Sequence, residues 1–393
     1  MTTELEFSIQ AANASLIQPL LDEFEAQSNI HVKVRVLSWD TAWSDLVKVA
    51  LYSDGPDVSE IGSTWLGDLV AMNALHSFTP GEINSLGKAS NFIPVAWQGC
   101  HISGQPEVWA IPWFVGIRLL FYRRRLLQAA GIDEATAFQN AEQLFNTVKH
   151  LHDQGVGVPW TAPTGLTHTT LLNVCSWVWG EGGDFITPDG KRTQFAEPPA
   201  LAGISKYFAL GRYIPERARD LNALEPDNLF LSDPQTALTI SGPWLFEHLT
   251  SAQREEIHVA LPPGRAFIGG SHFVAWRHTR KLEAVLKLVH FLTQKETQAA
   301  YTQRIGLLPV QVDALASPPY TTDPLWQVTA SGMRNGRGFL ITRAWGLMED
   351  RLTTEFAALW RDILAQPDLA LETAVAKHLE PLAKRLDLVL GHA

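Results

Sequence analysis

Glu4-Leu5-Glu6-Phe7-Ser8-Ile9 alternates polar and apolar side chains at the period of a half-buried strand, and the residues after it decide the fold. Leu16, Leu20, Leu21 and Phe24 then fall on one helical face, with Pro19 tolerable only in that helix's first turn. A second strand, Val32-Lys33-Val34-Arg35-Val36-Leu37, separates basic from apolar positions. A helical stretch from Ala42 to Tyr52, a break at Gly55-Pro56 and a short strand from Asp57 to Ile61 complete a β-α-β-α-β series. That order predicts an α/β architecture, a parallel sheet covered by helices, with ligand crevices beyond the carboxyl ends of the strands. Trp39 and Trp65 both follow predicted strands directly.

Fourteen tryptophans occur in 393 residues, and four of them stand beside turn residues: Ser38-Trp39-Asp40, Ser63-Thr64-Trp65, Ile111-Pro112-Trp113 and Ser241-Gly242-Pro243-Trp244. A flat ring with one N–H donor at a strand end suits a site that needs an apolar platform and a few aimed polar groups; the same ring serves equally to fill a core. The length favours two lobes over a single core. With 31 Lys plus Arg against 41 Asp plus Glu, the chain lacks the basic footprint that phosphate binding demands, so nucleic acid is not an expected partner.

The segment Met1-Thr2-Thr3-Glu4-Leu5 has no basic region followed by an apolar one, so no signal peptide is expected in this chain. No stretch approaches the roughly 20 continuous apolar residues of a membrane span. Cys100 and Cys175 stand far apart, which argues against a disulfide framework or a Cys-rich zinc site.

Catalytic constellations are missing: there is no Gly-x-Ser-x-Gly elbow, no His-Glu-x-x-His and no P-loop. His150-Leu151-His152-Asp153 reads as a polar helix end, because positions i and i+2 diverge on a helix. Gly180-Glu181-Gly182-Gly183 ends an aromatic helix instead of linking a strand to one, so it is not a dinucleotide fingerprint. A binding protein without cofactor or metal is the expectation.

Several segments, in order, carry a resemblance over nearly the whole chain. They are Gly55-Pro56-Asp57-Val58, Ala74-Leu75, Ala110-Ile111-Pro112-Trp113, Leu120-Phe121-Tyr122-Arg123, Ala130-Gly131-Ile132, Gly182-Gly183-Asp184-Phe185 with Pro188-Asp189-Gly190, and Ala237-Leu238-Thr239-Ile240-Ser241-Gly242-Pro243-Trp244. Ile268-Gly269-Gly270-Ser271, a helix from Glu283 to Thr293 and Gly306-Leu307-Leu308-Pro309 follow. The chain resembles the carbohydrate-binding receptors of ABC importers, extracellular solute-binding proteins of the branch that includes maltose-binding proteins.

The resemblance implies a two-lobe periplasmic-binding-protein fold with discontinuous lobes, a hinge and a central cleft. Residues 1–111 with 264–315 would form the first lobe, and 112–263 with 316–393 the second. Pro112, Pro262-Pro263-Gly264 and Pro318-Pro319 punctuate the crossings. It also implies a monomer that delivers a sugar to ABC permease subunits outside the cytoplasm. A sensory module of the same fold, cytoplasmic if Met1 is the native start, and a carbohydrate-active enzyme are the alternatives.

By resemblance, Trp244 lays its indole against a sugar ring, and Trp65, with hydroxyls from Ser63 and Thr64, answers from the other lobe or packs in the core. Trp39 leads to Asp40, whose two oxygens suit vicinal hydroxyls or cap the next helix. Gln10 and Asn13 occupy a contact loop, where Asn13 can also simply make the turn. Trp113 faces solute or packs beneath the crossing; Arg118 donates to hydroxyls or forms an internal ion pair. Of Trp177 and Trp179, on opposite helix faces, Trp177 is favoured for the site. Ser271 and His272 offer a hydroxyl and an imidazole, and Arg337 and Trp345 lie where relatives bring a last loop and helix to the ligand. Three departures stand out: Gly116 at a position commonly polar, Arg123 in place of Asn, and Ser232-Asp233-Pro234 at a small-residue turn.

Overall fold

The computed structural model describes residues 3–11, 14–366 and 368–390, apart from the side chain of Asp40. Among these residues nine strands are numbered in chain order: β1 (Thr3–Gln10), β2 (Ile30–Leu37), β3 (Val58–Gly62), β4 (Ile111–Ile117), β5 (Leu119–Arg123), β6 (Leu238–Ser241), β7 (Ile257–Ala260), β8 (Ile268–Ala275) and β9 (Leu308–Pro309). The chain divides into two compact units. The first comprises Met1–Gly116, Ile268–Thr321 and Gly338–Gly346; the second comprises Ile117–Phe267, Thr322–Arg337 and Leu347–Ala393. The sequence division had placed the stretch 338–346 in the second lobe.

A six-stranded sheet, in the order β2-β1-β3-β8-β4-β9, forms the centre of the first unit. β1 pairs in parallel with β2 along its whole length, from Thr3 opposite Ile30 to Gln10 opposite Leu37, and in parallel with β3 through Phe7 and Val58. The parallel expectation holds for these three strands and fails beyond them. β8 runs antiparallel to β3, with Val58 opposite Ala275 and Gly62 opposite Ser271, because the chain re-enters this unit from its other end. The sheet is therefore mixed.

Leu5, Phe7 and Ile9 of β1 are almost wholly buried, and Phe7 meets Trp113 and Phe273 in an aromatic core at centroid distances of 5.7 and 5.8 Å. The helix Gln18–Ser28 begins with Pro19 in its first turn, where a missing N–H costs nothing, and ends on Asn29 in the left-handed region. The next helix, Trp39–Tyr52, starts earlier than its apolar pattern suggested. The amides of Thr41 and Ala42 donate to the Ser38 carbonyl, so Trp39 and Asp40 sit in the first turn and Asp40 is not the N-cap.

The second unit holds a small antiparallel sheet in the order β6-β5-β7. Its central strand carries Leu119, Leu120 and Phe121, all fully buried, as a strand covered on both faces must. Arg123 at its end explains one departure from the family pattern. Its guanidinium is 2% exposed and donates to the carbonyls of Thr236 and Phe230 and to Glu256, tying three segments together. The helices Ala141–Asp153, Thr169–Gly180 and Leu371–Leu390 all pack against the helix Pro198–Ala209. No helix among the described residues is long and apolar enough to cross a membrane.

Candidate functional site

In the second unit, β6 ends at Ser241, and after Gly242 a 3-10 turn spanning Pro243–His248 carries Trp244 as its second residue. The indole folds back over Gly242. A Cβ on that glycine would lie 2.0 to 2.4 Å from three consecutive carbons of the six-membered ring, an approach over the ring that only hydrogen permits. The indole N–H donates to Asp227 Oδ2 at 3.0 Å, and the Ser241 hydroxyl donates to the same oxygen at 2.7 Å. Arg118, 9% exposed, places its guanidinium carbon 5.0 Å from the centroid of the Trp244 ring. Trp244 itself is partly exposed.

The electrostatics of this group are those of charges taken out of water. Burial pushes the Asp227 carboxyl above the usual aspartate range, and the bonds from Ser241 and Trp244 together with the Arg118 charge pull against that rise. Burial likewise lowers Arg118, with Asp227 opposing. Arg118 forms no ion pair among the described residues, so the internal ion pair expected as the alternative to hydroxyl donation is not made there. The arrangement can hold an aromatic surface in one orientation beside a cationic, multi-donor edge.

A second polar cluster in the same unit gathers Trp179, Asp184 and Arg337. Trp179 donates its N–H to Asp184 Oδ1 at 3.3 Å, and Arg337 pairs with Asp184 while standing 5.0 Å over the Trp179 ring. Arg337 is thus anchored instead of solvated. Trp177, favoured from sequence, is 2% exposed and meets Tyr207 edge-on at 4.9 Å, so it belongs to the core; the two-residue spacing sent Trp179 toward the polar side.

In the first unit, Trp39, Trp43 and Trp65 gather at the ends of β2 and β3. The Trp65 ring lies 5.7 Å from both others, and Trp39 is 52% exposed. Ser63 and Thr64 precede Trp65 in a short 3-10 turn and are partly exposed beside it. Asn13 lies outside the described residues, as does the side chain of Asp40. Gln10 is buried, and its side-chain amide donates to the Glu60 carbonyl at 2.9 Å.

Four other candidates are interior. Trp113 is 1% exposed and stacks on Tyr301 at 5.2 Å with an interplanar angle of 4°, which makes it a core ring. Ser271 donates to Glu60 Oε1 at 2.5 Å, while the Gln10 backbone N–H donates to the other Glu60 oxygen at 2.7 Å; burial raises this carboxyl to about 7. His272, one residue on, faces the opposite side of the sheet, its Nε2 3.2 Å from the Ala96 carbonyl and its imidazole lowered to about 4 by burial. Trp345 is fully buried with its ring 4.5 Å from that of Phe339.

Sequence reading weighed Trp179 but favoured Trp177, and it did not single out Asp227, Asp184 or Trp43 as site residues. Trp43 was findable, since it stands four residues after Trp39 on one helix face. Asp227 was not: its helix, Glu225–Ser232, meets Trp244 only through tertiary packing.

A sequence model of the bacterial extracellular solute-binding protein family matches residues 20–328. The diacetylchitobiose binding protein DasA of Streptomyces coelicolor is 24% identical over 192 residues, which cover 48% of this chain and 42% of that protein. The matched region thus spans less than half the length of that relative. A solved ABC transporter solute-binding protein of Thermotoga lettingae, bound with α-D-tagatose, superposes with a TM-score of 0.83 at 19% identity, covering 99% of this chain and 100% of that one. The sugar-binding protein MalE of Xanthomonas citri gives a TM-score of 0.83 at 19% identity over 99% and 98% of the two chains. At these identities the likeness establishes the two-lobe α/β fold of solute-binding proteins.

Proposed function

The chain belongs to the family of bacterial extracellular solute-binding proteins, and we propose that its solute is a carbohydrate, delivered to the membrane permease of an ABC importer. The observation that carries the sugar is Trp244: a partly exposed indole, set on Gly242, whose only donor is already taken by Asp227. Such a ring recognises by its apolar surface, which matches the C–H face of a pyranose, while donors nearby serve the hydroxyl edge. Arg118 supplies those donors. The partly exposed Trp39–Trp43–Trp65 cluster, with the Ser63 and Thr64 hydroxyls, offers the first unit a comparable surface. That DasA is named for diacetylchitobiose and the Thermotoga protein carries α-D-tagatose supports the same class of solute.

On this reading the protein works by binding without turnover, as a monomer, outside the cytoplasm. A thermal-shift screen over α-D-tagatose, diacetylchitobiose, maltose and a range of neutral and acidic saccharides tests it. A solute at about 100 times its dissociation constant adds about 2.7 kcal/mol of apparent stability. At least one saccharide should raise the melting temperature and be recovered unchanged. A flat response across the set contradicts the proposal, and a hydrolysed product would turn it toward the enzymatic alternative.

A further inference from the structure

Asp227 touches both the strand end and the ring of the Trp244 site, and its position is physically costly. The carboxylate is 6% exposed on the helix Glu225–Ser232, and a single oxygen, Oδ2, receives both the Ser241 hydroxyl and the Trp244 indole N–H. An apolar side chain there would spare the desolvation of a charge, at the cost of leaving the buried Ser241 hydroxyl and the indole N–H without this acceptor. What the charge adds is a firmer hold on both donors, since hydrogen bonds to an ionised acceptor are shorter and stronger than those to a neutral one.

The indole of Trp244 has two restraints besides this one. Gly242 bounds the six-membered ring, and the Arg118 guanidinium stands over the ring system at 5.0 Å. The hydrogen bond at Nε1 adds a hold on the N–H edge that neither of these contacts makes. Arg118 is buried without an ion pair among the described residues, and the charge of Asp227 acts on it. One carboxylate therefore bears on both the platform and the donor edge.

We infer that Asp227 is the positioning residue of the saccharide site, acting through Trp244 and Arg118 and never touching the sugar, so that affinity depends on its ionisation. This rests on the carbohydrate reading above. Protonation removes the charge-assisted part of both bonds and releases Arg118 from its opposing charge. Because burial already lifts this carboxyl above an ordinary aspartate, the loss begins on the acid side at a higher pH than a solvated aspartate would give. The charged or titratable groups that bear on Asp227 are Arg118 and His248; Arg118 also acts on His168, whose imidazole burial lowers to about 4, and the remaining groups that bear on Arg118 are Cys175 and Tyr207. Both of the latter are pushed to higher pKa by burial and stay protonated in the acid range.

The test uses the full chain and the member of the saccharide panel with the largest thermal shift. Its dissociation constant is measured from about pH 4 to about pH 7.5 for the wild type, Asp227→Asn, Asp227→Leu and His248→Gln, with melting curves at each pH. The wild type should weaken about tenfold toward acid, Asp227→Asn should sit near that weakened value at every pH, and His248→Gln should keep the wild-type profile. In parallel, the indole N–H resonance of Trp244, assigned by its disappearance in Trp244→Phe, should move with pH in the wild type and stay fixed in Asp227→Asn. This readout needs neither a saccharide nor the Leu variant to fold.

Asp227→Asn binding as tightly as the wild type, or an indole resonance that ignores both pH and the substitution, overturns the inference while leaving carbohydrate binding intact. A panel in which no saccharide binds removes the carbohydrate reading and the inference with it.

Discussion

Gly242 lies against the indole of Trp244 so closely that a Cβ would come within 2.0 Å of the ring. The Ser-Gly-Pro-Trp sequence is thus a steric instruction: the strand ends, the chain turns through Pro243, and the ring lies back over the one residue without a side chain. Gly242→Ala must push the ring away from Asp227. We expect at least about a tenfold loss of saccharide affinity, with the melting temperature changed by no more than a few degrees, since the displaced ring is partly exposed. Titration of the variant against the wild type, with melting curves alongside, measures both.

Glu60 gives a prediction about pH. It is buried in the first unit between the Gln10 backbone N–H and the Ser271 hydroxyl, and burial raises its carboxyl from 4.5 to about 7. The folded state therefore binds this proton more tightly than the unfolded chain does, and its contribution to stability is complete below about pH 4.5 and lost as pH rises toward 7. Glu60→Gln keeps the shape and stays neutral. Urea unfolding between those pH values should show a declining contribution in the wild type that is missing from the variant, which should be the more stable of the two at pH 8 by on the order of 1–3 kcal/mol. Identical slopes would mean that Glu60 does not titrate there.

Arg123 predicts a purely structural loss. Its buried guanidinium is shared among two carbonyls and Glu256, and truncation strands the two carbonyls while Glu256 keeps its pair with Arg125. Arg123→Ala should cost about 3–5 kcal/mol, read from the urea midpoint of unfolding. A change below about 1 kcal/mol would show that the three segments hold without it.

What could be read from sequence, and what could not, follows from the range of the interactions. The strand and helix order over residues 4–61 is local patterning, and it forecast the parallel portion of the sheet in the first unit. The turn that carries Trp244 was legible because Ser241, Gly242 and Pro243 sit beside it and each constrains the chain. Trp113 and Trp345 have sequence contexts of the same kind, yet Tyr301 and Phe339 enclose them. Nothing near Trp113 in the chain announces a ring 188 positions away. Trp177 and Trp179 could be separated onto two faces by helical geometry, but which face met Tyr207 and which met Asp184 depended on packing. Asp227 was invisible for the same reason, seventeen positions from the indole it binds.

The central claim is that Trp244 is a sugar platform, and titration calorimetry of the wild type and Trp244→Ala with the best-binding saccharide tests it most directly. Loss of an aromatic anchor costs at least about 2 kcal/mol where the ring dominates binding, so the variant should bind roughly thirtyfold more weakly, or below detection, while melting near the wild type. A folded variant with unchanged affinity would contradict the account, and a collapsed melting temperature would show that the ring belongs to the core.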